Sequence, residues 1–394
     1  MTKTADCVMQ GTELTIRTGE VLNSENAPVF QQEITDFLKD HNPERVTMDC
    51  RKLTYISSAG LRIILALKKD YPETRIINAS AEIYDILRMT GFTQLLEVQR
   101  AMRVISIAGC EEIGTGAKGK VVRIAPDTIV KVFYNSDSID SIKREQELSR
   151  LTFVAGLPTA IPYDIVRIEE GGYGAVYELL DADTFSGVYM KGKKSLDELT
   201  KMSAELLWEI HSTETDSGIV PDMKETVLRW IDSLKGGIPE EMYGRLKELV
   251  QAVPEDRHLI HGDFHFNNIM LQNDEALLID MEKLSCGNPV FEIGCMYSVY
   301  CCFNEFDHER SQRFFGFPYE TACAAFVRIL NYYLREWDEA RINEIVDKAR
   351  VISYIRVLRY YLTGSTPERT DMKQAEIYIR RLSDILERID SLTF

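Results

Sequence analysis

Apolar positions in the first hundred residues fall into two alternating periods. Glu13–Thr18 and Arg45–Asp49 alternate or run apolar over strand length, whereas Ala27–Leu38 places Val29, Phe30, Ile34, Phe37 and Leu38 at helical spacing. Leu61–Leu67 reads as a second helix, opened by Ser57-Ser58-Ala59-Gly60. Arg75–Asn78 reads as a short strand, and Ala81–Met89 as a third helix that stops at Gly91. Strands alternating with helices give a small sheet with helices packed on it, so residues 1–105 are expected to form an α/β domain.

The character changes near Ile105. Val104–Ile107, Val121–Ile124 and Thr128–Tyr134 are strand-like, and the glycine-punctuated stretch Ile113–Val121 lies among them. Ser138–Phe153 has helical periodicity, and Asp164–Ile168 with Gly174–Leu180 forms a hairpin around Glu169–Tyr173. From Leu196 the chain is mostly helical, interrupted by Leu259–Ile279. It ends in three amphipathic helices, roughly Tyr319–Trp337, Arg341–Leu362 and Lys373–Leu392. Residues 106–180 are therefore expected to form a strand-rich lobe and residues 181–394 a helical one.

Composition narrows the class. Of 394 residues, 45% are hydrophobic and 27% charged, ample for separate cores. No apolar run approaches the roughly 20 residues of a membrane-spanning helix, and Met1–Asp6 does not open a signal peptide. The eight cysteines form no CxxC pair, which points to reduced thiols and a cytoplasmic protein. The first 105 residues carry 13 basic and 14 acidic side chains, so nearly all of the net charge of −16 falls on the remainder. An acidic chain without a basic face argues against nucleic acid or an anionic membrane as partner. The acidic helical region could instead roof a pocket for an amine or quaternary ammonium.

The strongest chemical signal is His261-Gly262-Asp263-Phe264-His265-Phe266-Asn267-Asn268, followed by Leu277-Leu278-Ile279-Asp280. Phosphoryl transfer needs a base at the attacking hydroxyl and oxygen ligands for Mg²⁺, held rigidly together. Asp263 can supply the base, and Asn268 and Asp280 the metal ligands. A polar hairpin with a helix cap is the plainer alternative, but apolar strands on both sides argue that these residues are held. Upstream, Gly114, Gly116 and Gly119 punctuate a loop that alone is weak evidence. Lys131 on the next apolar strand adds weight. Its ammonium could reach nucleotide phosphates if a carboxylate held it, with Glu145 as candidate and Glu147 as competitor. Loop, Lys, Glu, Asp…Asn and Asp occur in the order that this chemistry requires.

Residues from about 107 to 394 thereby resemble the aminoglycoside phosphotransferase and choline kinase-like branch of the protein-kinase-like superfamily. HGDFHFNN is close to that branch's HGDxHxxN, Glu145 to its helix glutamate, and Gly156-Leu157-Pro158 to its following turn. Val176-Tyr177-Glu178-Leu179 resembles the hinge strand whose backbone receives adenine, and His211 lies in a short motif that is usually structural. The resemblance implies an α+β bilobal kinase-like domain that uses ATP and Mg²⁺, with Asp263 as catalytic base and Asn268 and Asp280 as metal ligands. One departure is Glu292, where the family usually has Asp; its longer side chain puts loop anchoring in question.

The first 105 residues resemble STAS domains of the anti-sigma-factor-antagonist type. The likeness rests on Arg17–Asn23, Val46–Cys50 and above all Leu53–Leu61. Aligned on Gly60, Ser58 occupies that family's phosphoacceptor position and Ser57 replaces its preceding Asp. A phosphate on Ser58 would meet a helix N-terminus; the alternative is that Ser58 is simply the helix N-cap. Three functions follow. The first is a small-molecule kinase with a STAS regulatory or docking module, which could engage a protein partner. The second is a protein kinase acting on a STAS serine, Ser58 in cis or in a partner. The third is a degenerate, non-catalytic binder. The full residue set disfavours the third, and HGDxH favours a small hydroxyl-bearing substrate.

Overall fold

The structure is a computed structural model that describes residues 4–115, 119–133, 139–215, 218–335, 337–363 and 372–393. The chain separates into two compact units, Met1–Ile105 and Ser106–Phe394.

In the first unit a five-stranded sheet runs in the order Ala5–Gln10, Glu13–Thr18, Arg45–Asp49, Glu73–Ala79, Glu97–Arg100. The first pair is antiparallel and the others are parallel. Arg45–Asp49 is the middle strand, and its last four residues are all buried; Val46 and Met48 join the core, while Thr47 is satisfied by Glu13 and Arg75 and Asp49 by Asn78. Helices Ala27–Leu38, Ser58–Asp70 and Ala81–Met89 cover the sheet. Phe30, Ile34, Ile64, Ile83 and Leu87 pack with Leu14, Ile16, Val46 and Met48 into one core.

The helix expected at Leu61–Leu67 begins earlier, and this corrects one assignment. Its N-cap is Ser57, whose Oγ accepts a hydrogen bond from the Ala59 N–H at 3.2 Å; Ser58 is the first helical residue and is exposed. The cap thus falls on the position that replaced Asp, and the Ser58 hydroxyl is not the one engaged. Gly60 is needed for packing, because a Cβ there would lie 2.8 Å from Ile56 Cγ1 and from Leu22 Cγ.

In the second unit an antiparallel sheet contains, in order, Pro162–Ile168, Tyr173–Glu178, Thr128–Phe133, Gly119–Ala125 and Glu111–Thr115. The glycine-punctuated stretch read as a loop is therefore largely two paired strands; the Gly116 position lies outside the described residues. Helix Ile139–Val154 follows, and from Phe185 onward the chain is mainly helical. A small sheet, Asp183–Thr184, Ile269–Gln272 and Glu275–Leu278, carries the segment expected to hold the chemistry. The turn at Gly156-Leu157-Pro158 is tied to it: Leu278 N–H donates to the Pro158 carbonyl (2.8 Å), and the Thr159 hydroxyl to the Leu278 carbonyl (2.9 Å). The expected terminal helices are Tyr319–Tyr333, Glu339–Thr363 and Met372–Leu386, the last shorter than its apolar pattern suggested. Among the described residues no helix is long and apolar enough to cross a membrane, and the eight cysteines are free thiols.

Candidate active site

Thr128–Phe133 is an inner strand, paired on both sides. From it Lys131 reaches the helix Ile139–Val154, where its Nζ lies 2.7 Å from Glu145 Oε1; on its other side it lies 3.4 Å from Asp280 Oδ1. Glu145 is buried among Ile142, Leu148 and Ser149, whereas Glu147 is exposed, so helical phase decides between the two carboxylates. Burial works against the Lys131 charge, but Asp280 and Glu145 outweigh it and hold the ammonium above its ordinary pKa. Burial pushes the Glu145 carboxyl up, with Lys131 pulling it back.

These groups line a cavity of about 540 Å³ whose walls include Ile113, Val121, Leu180 and Met270. Gly114, Glu178, Asn268 and Asp280 also line it. Gly119 is not among the lining residues. It pairs with Phe133, and a Cβ there would come within 2.0 Å of the Val132 carbonyl oxygen, so its missing side chain lets two strands approach.

The segment around Asp263 is held from several directions. Gly262 has φ +76°, and a Cβ would lie 2.4 Å from the Lys283 carbonyl oxygen. Its N–H donates to both carboxylate oxygens of Glu292 (3.1 and 3.0 Å), which is fully buried at the start of helix Pro289–Tyr300. The longer side chain that stood in doubt thus does anchor the loop. His261 bonds the Ile279 carbonyl at 3.1 Å, and Ile279 N–H donates to the Asn268 carbonyl at 3.0 Å, which brings Asp280 beside Asn268. Asn268 Nδ2 donates to the Asp263 carbonyl (3.0 Å), leaving Oδ1 as the atom it can offer a cation. Carboxylate oxygens of Glu145, Asp280 and Glu282 lie within 4.8 Å of one another. Lys131 pairs with Glu145 and Asp280 of this trio, and the Asn268 Oδ1 and the Asp280 carboxylate are oxygen donors of the kind that a hard divalent cation such as Mg²⁺ takes.

The Asp263 carboxylate itself sits between two cations. Oδ2 accepts from Lys283 Nζ at 2.7 Å and Oδ1 from Arg356 Nη2 at 3.0 Å, with His265 Nε2 3.8 Å away. Burial would raise its pKa, yet His265, Arg356 and Lys283 together hold it well below the usual carboxylate range. Sequence reasoning missed both cations. Lys283 follows Asp280 by three residues and was within sight of the motif. Arg356 lies 93 residues from Asp263 on helix Glu339–Thr363, and its only local signal is a charge set among Ile352, Ile355 and Val357.

Beside Lys283 and Arg356 opens a second cavity, of about 570 Å³. Arg144, Arg229 and Arg359 line it with those two, and Glu282 is the one acidic residue among the lining positions. The acidic roof expected for a cationic acceptor is therefore not present here. The acidic surplus of the chain gave no guide to its local placement.

Comparison with known proteins bears on family and fold. The model of the phosphotransferase enzyme family matches residues 109–341. The chain belongs to the phosphotransferase enzyme family. The STAS domain model matches residues 5–103, so this family member carries an N-terminal STAS module. That module is 27% identical over 92 residues to BtrV of Bordetella bronchiseptica, whose name proposes an anti-sigma factor antagonist; the match spans 22% of this chain and 78% of BtrV. Among solved structures, a thermostable mutant of aminoglycoside phosphotransferase APH(4)-Ia in its apo form superposes with a TM-score of 0.50 at 14% identity, covering 71% of this chain and 94% of that one. A further mutant of the same enzyme, in ternary complex with AMP-PNP and hygromycin B, gives 0.50 at 13% identity, covering 71% and 93%. At these identities the likeness to the solved structures is one of fold, the kinase-like phosphotransferase fold, and the STAS family model supplies the α/β domain that precedes it.

Proposed function

We propose that this phosphotransferase-family chain moves the γ-phosphoryl group of ATP to a hydroxyl of a small molecule, and that its STAS domain regulates or docks the enzyme. The observation that carries this reading is the Lys131–Glu145–Asp280 cluster lining one cavity, with Asp263 and Asn268 on the segment next to it. Lys131 would bind the α- and β-phosphates, with Glu145 fixing its position. Gly114 would lie against the nucleotide, and the backbone of the hinge at Glu178 would receive the base. Asn268 and Asp280 would hold Mg²⁺, which when bound neutralises phosphate charge during transfer. Asp263 would orient the acceptor hydroxyl and take its proton as the oxygen–phosphorus bond forms, and ADP would leave. A loose transition state asks little of the base until late, so a low pKa is compatible with that role. The lobes would divide near residues 180 and 181.

The test is transfer of labelled phosphate from Mg·ATP by the full chain across a panel of hydroxyl-bearing metabolites. Asp263→Asn keeps the shape and should cut the rate on the order of 10²–10⁴-fold with nucleotide affinity little changed. A near-normal rate would remove Asp263 from the mechanism.

A further inference from the structure

From the second cavity we infer that the acceptor is a small hydroxyl-bearing anion, a phosphate monoester or carboxylate, gripped by Arg356, Lys283 and the rim arginines Arg144, Arg229 and Arg359. The inference rests on the phosphotransfer reading, since it names that reaction's acceptor.

Three observations lead to it. The first is charge. Five of the side chains lining the cavity are cationic and one is acidic, in a chain whose net charge is −16. Among the described residues Arg144, Arg229 and Arg359 make no ion pair, although acidic residues outnumber basic ones overall. Five cations gathered around one concavity with one carboxylate repel one another, and a bound anion relieves that repulsion.

The second is geometry. The Arg359 Cζ lies 6.0 Å from the centre of the Trp230 ring and the Arg356 Cζ 6.0 Å from that of Phe303, at the limit of a cation–π contact. Arg229 Nη2 donates to Thr226 Oγ1 at 2.8 Å, which holds its guanidinium. Guanidinium forks suit bidentate recognition of carboxylate or phosphate oxygens. The cavity, at about 570 Å³, has the size of a small-molecule site.

The third is connection to the chemistry. Arg356 and Lys283 line the cavity and also hold the Asp263 carboxylate, at 3.0 and 2.7 Å. An anion bound to the same two cations places its own hydroxyl beside Asp263.

Calorimetric titration of the full chain decides the matter, with sn-glycerol 3-phosphate as a hydroxyl-bearing phosphate, gluconate as a hydroxyl-bearing carboxylate and ethanolamine as a cationic amino alcohol. At least one anion should bind saturably and ethanolamine should not; which anion binds identifies the headgroup. Arg359→Glu, or Arg229→Glu should the first variant fail to fold, should weaken that binding about tenfold or more, the loss expected for a charge-assisted contact, while affinity for a fluorescent ATP analogue is kept. Ethanolamine binding as tightly as the anions, no saturable anion binding, or anion binding indifferent to both charge reversals would overturn the inference. So would an acidic phosphopeptide that binds more than tenfold tighter than either small anion, because the acceptor would then be a protein. Failure of the wild-type chain to bind the ATP analogue would instead refute the phosphotransfer reading, whatever the anion result.

Discussion

Asp263 keeps its charge because Lys283 and Arg356 face its two oxygens. Asp263 itself was legible from the sequence, because HGDxH and the following Asn fix its place in a tight loop. The settings of Lys131 and Glu145 were legible for a similar reason, since strand and helix phase determine which side chains turn inward. The companions of Asp263 were not, because one comes from a helix far along the chain and no local pattern links it to the loop. The depressed pKa gives a pH prediction with a definite sign. A carboxyl whose folded pKa lies below its unfolded value is ionised, and contributes stability, above the ordinary carboxylate range near 3.9; both are lost only as pH falls through the lower folded value. The rate should therefore show no acid limb from Asp263 between pH 7 and 5. In Arg356→Met the limb should move to higher pH, because one lowering charge is gone. A limb at the same pH in both proteins would mean that Arg356 does not tune Asp263.

At the scale of elements, two helices carry the site's second half. Pro289–Tyr300 supplies Glu292 to the Gly262 N–H, and Glu339–Thr363 supplies Arg356, whose Nη1 also donates to the Cys295 carbonyl at 3.1 Å. They meet at Gly294, where an added Cβ would lie 2.5 Å from Ile352 Cβ and 3.0 Å from the Ala349 carbonyl oxygen. Gly294→Ala is expected to cost about 1–3 kcal/mol by overpacking. It should also lower the transfer rate, since Ile352 is one helical turn from Arg356. Denaturant melts with parallel rate measurements check this; unchanged stability would show that the helices separate freely. Element periods were largely readable, as Ala27–Leu38, Ala81–Met89 and the long helix near 341–362 show. The strands Ala5–Gln10 and Glu97–Arg100 were not, because they form the sheet's edges and carry mixed burial with little alternation. The last helix stops at Leu386 although Ile389 and Leu392 remain buried, so apolar burial outlasts helical backbone there.

At the scale of the molecule, a STAS module and a phosphotransferase share one chain, and the boundary near residue 105 was visible as a change of pattern. A net charge is a sum over the chain and carries no information about which face holds the arginines that line the second cavity. The fusion raises the alternative that the enzyme phosphorylates a STAS serine. Ser58 is exposed, and Ser57 takes the cap, so access does not protect it. The local pattern nevertheless lacks the family's preceding Asp, and a cavity of small-molecule size is a poor seat for a folded helix start. Incubation with Mg·ATP should leave the intact mass unchanged. A stoichiometric phosphate adduct that disappears in Ser58→Ala would make the STAS domain a substrate.

The central claim is that nucleotide binds where Lys131 meets Glu145 and Asp280. Calorimetric titration of Mg·ATP into the wild-type chain and into a Lys131→Ala/Asp280→Ala double variant tests it most directly. The account predicts saturable binding to the wild type and a loss of at least about tenfold in the variant, where the charge-assisted contacts to the phosphates and the metal are gone. Equal binding to both proteins would contradict it and put the nucleotide site elsewhere.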